Sequence, residues 1–183
     1  MLSTRRKLLT PLLAALMLGL LLIGITACGS GNPREVEEGE VVKVDGVKYT
    51  VVFSRYLNEN DSEDTAYLVG QEPAGNEDNY FGVFLQVKNP NHETRGLVSE
   101  LWITDAEDKK FQALPSESEF AFPFGGEVEE NEAIPVDDST AQSGPIRGSV
   151  AIFKLPEEVS SNRPLILHIP GPGKESGKVK LDL

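Results

Sequence analysis

From Val41 onward, apolar side chains recur at every second position, and this period determines what the chain can fold into. In the segment "VKYTVVFSRY", one face of an extended strand carries Val47, Tyr49, Val51 and Phe53. A two-residue period is typical of a half-buried β-strand, and no segment of the sequence sustains the 3.6-residue period of an amphipathic helix. The pattern therefore predicts an all-β fold.

Further strand-length segments follow at short intervals and are separated by turn residues such as Asp45-Gly46. They are "YFGVFLQVKN", "LVSELWITD", "SVAIFKLP", "PLILHI" and "KVKLDL". The segment "SVAIFKLP" is apolar on both faces, which predicts a strand central to its sheet. The connection 112–145 contains eight acidic and no basic residues, and it is expected to be one short strand followed by a solvated loop. Seven to nine short strands predict an antiparallel β-sandwich over residues 41–183.

The start of the chain has the order of an export signal. Three basic residues precede an uncharged apolar run, Leu12–Ile25, and two small residues lie before Cys28. The run has 14 residues, fewer than the roughly 20 that cross a bilayer core. Two alternatives stay open: an uncleaved anchor over residues 8–27, and twin-arginine export directed by "TRRKLL" at 4–9.

The tetrad "ITAC" at 25–28 resembles the lipobox of bacterial lipoproteins. The resemblance implies that the Cys28 thiol carries a diacylglyceryl group, with fatty acids such as palmitate, and that cleavage makes it the first residue. Two acyl chains hold a protein stably on a membrane. The predicted organisation is a signal peptide at 1–27, the lipidated cysteine and a flexible acidic tether at 28–40, and the sandwich domain at 41–183. The predicted location is the outer face of the cell membrane, or the outer membrane in a cell with two membranes.

The charge of the chain restricts its partners. Residues 1–27 contain three of the 17 basic residues and none of the 29 acidic residues, so the rest of the chain carries a formal charge of −15. Such a surface repels nucleic acid and anionic headgroups. The expected partners are therefore the membrane, through the lipid anchor, and an extracellular protein, with nucleic acid excluded.

Two loops contain closely spaced carboxylates. "NENDSEDT" carries Asp61 and Asp64, and "VDDST" carries Asp137 and Asp138. Carboxylate oxygens are the ligands that calcium prefers, and extracellular modules bind it at up to millimolar concentration. Neither loop has the spacing of an EF-hand. A calcium site and simple solvation of the loops both stay open, and no other cofactor is predicted.

The sequence offers little for catalysis. His92 lies in a polar loop, His168 lies within a strand, and no serine stands in a nucleophile-elbow context. The segment "GPGKESGK" at 171–178 lacks the spacing and the Ser or Thr of a phosphate-binding loop. Trp102 either fills the second side of its sheet or forms a partly exposed contact. The chain is predicted not to be an enzyme. The expected function is a protein-interaction or envelope-associated module, and the alternative is an accessory lipoprotein that binds a small ligand or calcium.

Three segments of the chain carry a family resemblance. They are "YFGVFLQVKNPN" at 80–91, "LWITDAEDKKF" at 101–111 and "SGPIRGSVAIFKLPEE" at 143–158. Their order resembles the immunoglobulin-like domain of the mycobacterial immunoprotective extracellular antigen family over about residues 47–183. The resemblance implies a β-sandwich of the kind found in bacterial lipoproteins of unknown function, without established catalytic residues. Asp108 stands where the family's hairpin usually has glycine.

Overall fold

Strands with alternating apolar residues build most of the fold in the part of the chain that the computed structural model describes, residues 34–182. In chain order the strands are β1 Arg34–Glu37, β2 Val41–Val44, β3 Val47–Leu57, β4 Asp78–Lys88, β5 Arg95–Gly96, β6 Trp102–Thr104, β7 Lys110–Gln112, β8 Glu127–Val128, β9 Ala133–Ile134, β10 Ser149–Pro156, β11 Ile166–Pro170 and β12 Ser176–Lys180. The helices are α1 Ser62–Tyr67, α2 Thr140–Ser143 and a 3₁₀ turn at Glu157–Ser161. None of the helices in this range is long and apolar enough to cross a membrane.

Two sheets pack face to face. Sheet A has the strand order β1-β12-β11-β6-β7, and sheet B has the order β10-β4-β3-β2, with β9 beside β4. Their inner faces share one hydrophobic cluster, to which Tyr49 and Phe81 contribute from sheet B and Ile103, Leu167 and Val179 from sheet A. Burial of these alternating residues is the main stabilising term. The predicted all-β sandwich is confirmed, and nine of the described strands have three or more residues.

The segment predicted as a tether, 28–40, ends inside the domain. All four residues of β1 pair in parallel with β12. In the next turn, the Glu38 carboxylate accepts hydrogen bonds from the backbone N–H and the hydroxyl of Ser54 at 3.0 and 2.6 Å. It also accepts one from the Asp182 N–H at 3.1 Å. The sequence does not indicate this strand, because only Val36 of β1 packs on the core. Backbone hydrogen bonds hold the rest of β1 in place.

The sequence of β10 predicts a strand at the centre of its sheet, but β10 lies at an edge of sheet B. It is still buried on both faces, because one face contacts the sandwich core and the other packs against a second cluster formed with α1. Tyr67 of α1 contacts Phe84 and Phe120 edge to face, with ring centroids 5.1 and 5.0 Å apart. Leu114 and Ala121 form isolated β-bridges to β10 on the edge that does not pair with β4. The first part of the connection at 112–145, up to about Phe122, is thus a covering layer, whereas most of residues 125–140 are exposed.

A β-bulge in β3 changes the predicted face of Phe53. The register between β3 and β4 shifts between Val51 and Phe53. As a result Phe53 is 43% exposed, Val52 is also exposed, and Ser54 is buried in its place. Because the covering layer lies over β4 and β10, apolar side chains near β2 and the bulge of β3 remain in contact with solvent.

Candidate functional site

The predicted site residues are not grouped in the structure. Cys28 and the predicted signal peptide lie outside the described residues. Within residues 34–182, no three acidic, histidine or cysteine side chains are arranged to hold a metal ion. Asp61 caps α1, and its carboxylate accepts the N–H groups of Glu63 and Asp64 at 2.8 and 3.3 Å. Asp137 and Asp138 are exposed in the turn before α2.

Asp64 forms a buried ion pair. It is only 3% exposed, and its two carboxylate oxygens bind the two terminal nitrogens of the Arg55 guanidinium. The backbone N–H of Asn58 donates a further hydrogen bond to Asp64 at 2.7 Å. Burial raises the pKa of the Asp64 carboxyl, but the hydrogen bond from Arg55 and that from Asn58 outweigh it, so the pKa lies below its usual value. The carboxylate oxygens of Asp64 are thus already occupied by hydrogen bonds within the protein.

The outer face of sheet A carries a packed row of side chains across neighbouring strands. The Trp102 and His168 rings stack with centroids 5.3 Å apart, and the Lys110 ammonium lies 3.7 Å from the centroid of the indole. The Thr104 hydroxyl and His168 Nε2 are 2.9 Å apart. Burial, followed by the charges of Lys178 and Lys110, lowers the pKa of His168. Trp102 therefore fills the outer side of its sheet as a half-buried cross-strand contact.

The glycine-rich segment at 171–178 binds the side-chain carboxylate of Asp45 from the same chain. The Gly173 N–H donates a hydrogen bond to Asp45 Oδ2 at 2.7 Å, and the Asp45 N–H donates one to Glu175 Oε2 at 2.7 Å. A Cβ atom on Gly173 would lie 2.6 Å from Asp45 Oδ1. Glycine is required here because the carboxylate of the β2–β3 turn approaches the backbone closely.

A groove of about 340 Å³ crosses the outer face of sheet B. Its floor comes from β3 and β4, whose outward positions alternate with core positions. One wall is Val41 of β2, and the other is formed by β9 and α2. The lining residues are Val41, Lys48, Thr50, Gln86, Val87, Lys88, Ala133, Ile134, Pro135 and Gln142. The groove combines ammonium, hydroxyl and amide groups with apolar side chains, which is the usual composition of a ligand site.

Three lysines stand side by side at one end of the groove. Lys48 is directly opposite Lys43 in the β2–β3 ladder and directly opposite Lys88 in the β3–β4 ladder. We call Lys43, Lys48 and Lys88 the lysine row. The six ion pairs found within residues 34–182 include none of these three ammonium groups. The row is therefore an unpaired positive strip on a chain with a formal charge of −12.

A second hollow of about 490 Å³ adjoins the groove and shares Lys88 and Ala133 with it. Glu132 and Asp137 line this hollow, so Asp137 is the one predicted calcium ligand that lies beside the groove. The positive strip thus meets an acidic surface at Lys88.

Sequence reasoning did not find the groove, although part of its signal is present. A two-residue turn at Asp45-Gly46 places Lys43 opposite Lys48, because a tight hairpin fixes the register of its strands. Lys88 lies on a strand that is distant in sequence, and its position opposite Lys48 requires the β3–β4 register.

Comparison with known proteins identifies a fold but no family. No protein-family model matches the sequence, and no curated protein is similar to it at a significant level. The YjhA protein of Bacillus subtilis aligns with a TM-score of 0.55 and 12% identity over 80% of this chain and 99% of that protein. A putative lipoprotein of Bacillus subtilis, YcdA, aligns with a TM-score of 0.52 and 12% identity over 80% of this chain and 39% of that protein. An uncharacterized β-sandwich protein of Clostridium difficile aligns with a TM-score of 0.48 and 16% identity, over 82% of this chain and 95% of that protein.

These similarities concern architecture alone. The YjhA and YcdA proteins share the fold of this chain at identities too low to transfer a function. The chain spans about two fifths of the YcdA protein, 39% of its length. The resemblance to the mycobacterial antigen family is thus supported at the level of a β-sandwich, and not at the level of the family.

Proposed function

We propose that this chain is an exported, lipid-anchored protein whose β-sandwich acts as a protein-interaction or envelope-associated module on the outer face of the cell membrane. The order of basic residues, apolar run and Cys28 supports the anchor. The fold shared with the YcdA protein is consistent with it. The observation that carries the binding role is the outer face of sheet B, where the exposed side chain of Val41 lines the groove. Membership of the mycobacterial antigen family stays a hypothesis based on three segments.

The second candidate is an accessory lipoprotein that binds a small ligand. The groove favours this candidate because it is concave and brings polar groups from three elements together. Calcium has less support as the ligand, since Asp61 caps a helix and Asp64 pairs with Arg55. The proposal assigns no catalysis to His168, which packs on Trp102 at the face of a sheet.

The anchor keeps the domain close to the membrane in this proposal. Five residues separate Cys28 from Arg34, the first residue of β1. A chain of this length spans at most about 20 Å. In this proposal, β1 therefore begins within about 20 Å of the lipidated cysteine.

The anchor is tested with the full chain produced in a bacterial host. In detergent phase partitioning, the wild-type protein is expected in the detergent phase, with the mass of an acylated amino-terminal cysteine. Cys28→Ala is expected in the aqueous phase or retained as unprocessed precursor, whereas the neighbouring control Ser30→Ala behaves as wild type. A Cys28→Ala protein that is processed and still enters the detergent phase contradicts the lipid anchor.

A further inference from the structure

The lysine row is not explained by the stability of the fold. Like charges directly opposite each other destabilise a strand pair, and Lys48 has such a neighbour on each side. The chain contains 29 acidic residues against 17 basic ones, yet no acidic side chain among residues 34–182 pairs with this row. A bound anion at the row would remove the repulsion between the three ammonium groups. The arrangement is therefore that of an anion-binding strip.

The surroundings of the row limit how much negative charge a ligand can carry. Glu132 and Asp137 line the hollow next to Lys88. Charges within a Debye length of about 8 Å interact appreciably at physiological ionic strength. A single anionic group at the lysine row is attracted, but further anionic groups extending past Lys88 meet these carboxylates. The site thus favours a monoanion and disfavours a polyanion.

The remainder of the groove fits an apolar group. Val41 is 49% exposed, and Ala133 and Pro135 contribute to the facing wall, whereas the side chain of Ile134 packs on the sandwich core beside Val87. The row that contains Val41, Thr50 and Gln86 lies two residues along the strands from the lysine row, a distance of about 7 Å. A ligand with its anionic group at the lysines therefore places its next part against Val41 and Pro135, where covering apolar surface is favourable.

We propose that the groove binds a small amphiphile that carries one anionic group, such as a medium-chain carboxylate. The anionic group lies between Lys48 and Lys88, and the apolar part lies between Val41 and Pro135. The Thr50 hydroxyl and the Gln86 amide at the floor are available to the polar end of the ligand. The volume of about 340 Å³ is at the small end of the range of ligand sites. This inference rests on the ligand-binding candidate of the proposed function and names its chemical class.

Octanoate is a suitable probe because it is a soluble monoanion with a short apolar tail. The experiment uses residues 29–183, which include both hydrophobic clusters, after a cooperative thermal melt has established that this chain is folded. Backbone amide shifts in a ¹⁵N-labelled sample report the position and the affinity of binding. We expect saturable shifts at Lys48, Thr50, Gln86, Lys88 and Ile134, and none at Trp102 on the outer face of sheet A.

Two matched double variants separate local charge from net charge. Lys48→Gln/Lys88→Gln is expected to weaken octanoate binding about tenfold, since hydrogen bonds to charged groups are the stronger kind. Lys109→Gln/Lys154→Gln removes the same net charge from two surface ion pairs elsewhere and is expected to change the affinity less than about twofold. Both variants are at exposed or half-exposed positions and are expected to fold.

Three outcomes would overturn the proposal. The first is that octanol or octyltrimethylammonium binds as tightly as octanoate. The second is an equal loss of octanoate affinity in the two double variants, and the third is tighter binding of poly-glutamate than of octanoate. Because the tested chain lacks Cys28, each of these results leaves the lipid anchor untouched. Conversely, a failure of the anchor experiment does not alter the affinity of the groove.

Discussion

The substitution Asp64→Asn removes the negative charge from the buried ion pair with Arg55 while it keeps the size of the side chain. The Arg55 guanidinium then faces an amide in place of the carboxylate that receives its two hydrogen bonds. The amide oxygen can still accept the Asn58 N–H. The substitution therefore tests the charge of the pair rather than the packing around it.

The expected loss follows from the exposure of the two partners. Removing one partner of a fully buried pair costs about 3 to 5 kcal/mol. The Asp64 side chain is 4% exposed, but that of Arg55 is 28% exposed, and Glu63 Oε1 lies 3.8 Å from its guanidinium. Water and Glu63 thus compensate part of the lost charge. We expect a loss of about 2 kcal/mol, which corresponds to about 4 to 8 °C in Tm for a domain of this size.

Thermal unfolding in the presence of EDTA and in millimolar calcium distinguishes the two roles assigned to Asp64. As the partner of Arg55, Asp64 contributes equally in both buffers, so the same decrease in Tm is expected with and without calcium. As a calcium ligand, it would stabilise the domain only when calcium is bound. Glu63→Gln, at an exposed position beside the same arginine, is the control and is expected to cost less than about 0.5 kcal/mol.

The pH dependence supplies an independent check. Because Arg55 and Asn58 hold the pKa of the Asp64 carboxyl below its unfolded value, the pair stabilises the fold above about pH 4 and loses this contribution as the pH falls further. The difference in stability between wild type and Asp64→Asn is expected to shrink below about pH 4. A constant difference from pH 7 to pH 3, or a decrease in Tm that appears only with calcium, would refute the reasoning.

Two further results are expected. Gly171→Ala should destabilise the domain by about 1 to 3 kcal/mol. A Cβ atom at position 171 would overlap the Asp45 carboxylate and lie 2.6 Å from Val44 Cγ1. Gly96→Ala is the control and should melt as wild type, because a Cβ atom there has no neighbour closer than 3.9 Å. Equal melting of the two variants contradicts the close approach of Asp45. Burial and nearby lysines lower the pKa of His168, so the unfolded chain binds a proton first and stability should fall as the pH drops below about 6.5. Denaturant titrations from pH 7.5 to 5.5 should show this fall in wild type and a smaller one in His168→Gln; identical profiles would contradict it.

The fold was largely predictable because side-chain alternation is a local property of an extended strand. Tyr49 and Val51 point into the core as their spacing predicts. The attachment of β1 was not predictable, since its hydrogen bonds go to β12 at the other end of the chain. The packing positions of Phe120 and Phe122 were not predictable either, because they also depend on residues that are distant in sequence. One packs on the outer cluster of sheet B and the other in the sandwich core.

The site was less predictable than the fold. Composition reveals that Asp61 and Asp64 are close in sequence, but it does not reveal that one caps a helix and the other pairs with an arginine on β3. The groove depends on strand register and on the path of a long connection, and both arise from tertiary packing. Residue patterns could therefore indicate an acidic loop, and could not indicate an unpaired strip of lysines.

The parallel pairing of the first and last strands has a mechanical consequence. Arg34 at the start of β1 lies beside Gly177, and Glu37 lies beside Lys180 near the end of the chain. Tension applied between the amino-terminal end of β1 and the carboxyl-terminal end of β12 therefore shears the ladder and loads its backbone hydrogen bonds together. Shearing requires several bonds to break at once, whereas peeling would break them one after another. The parallel β1–β12 pair therefore resists tension between these two ends more strongly than strands that peel apart would.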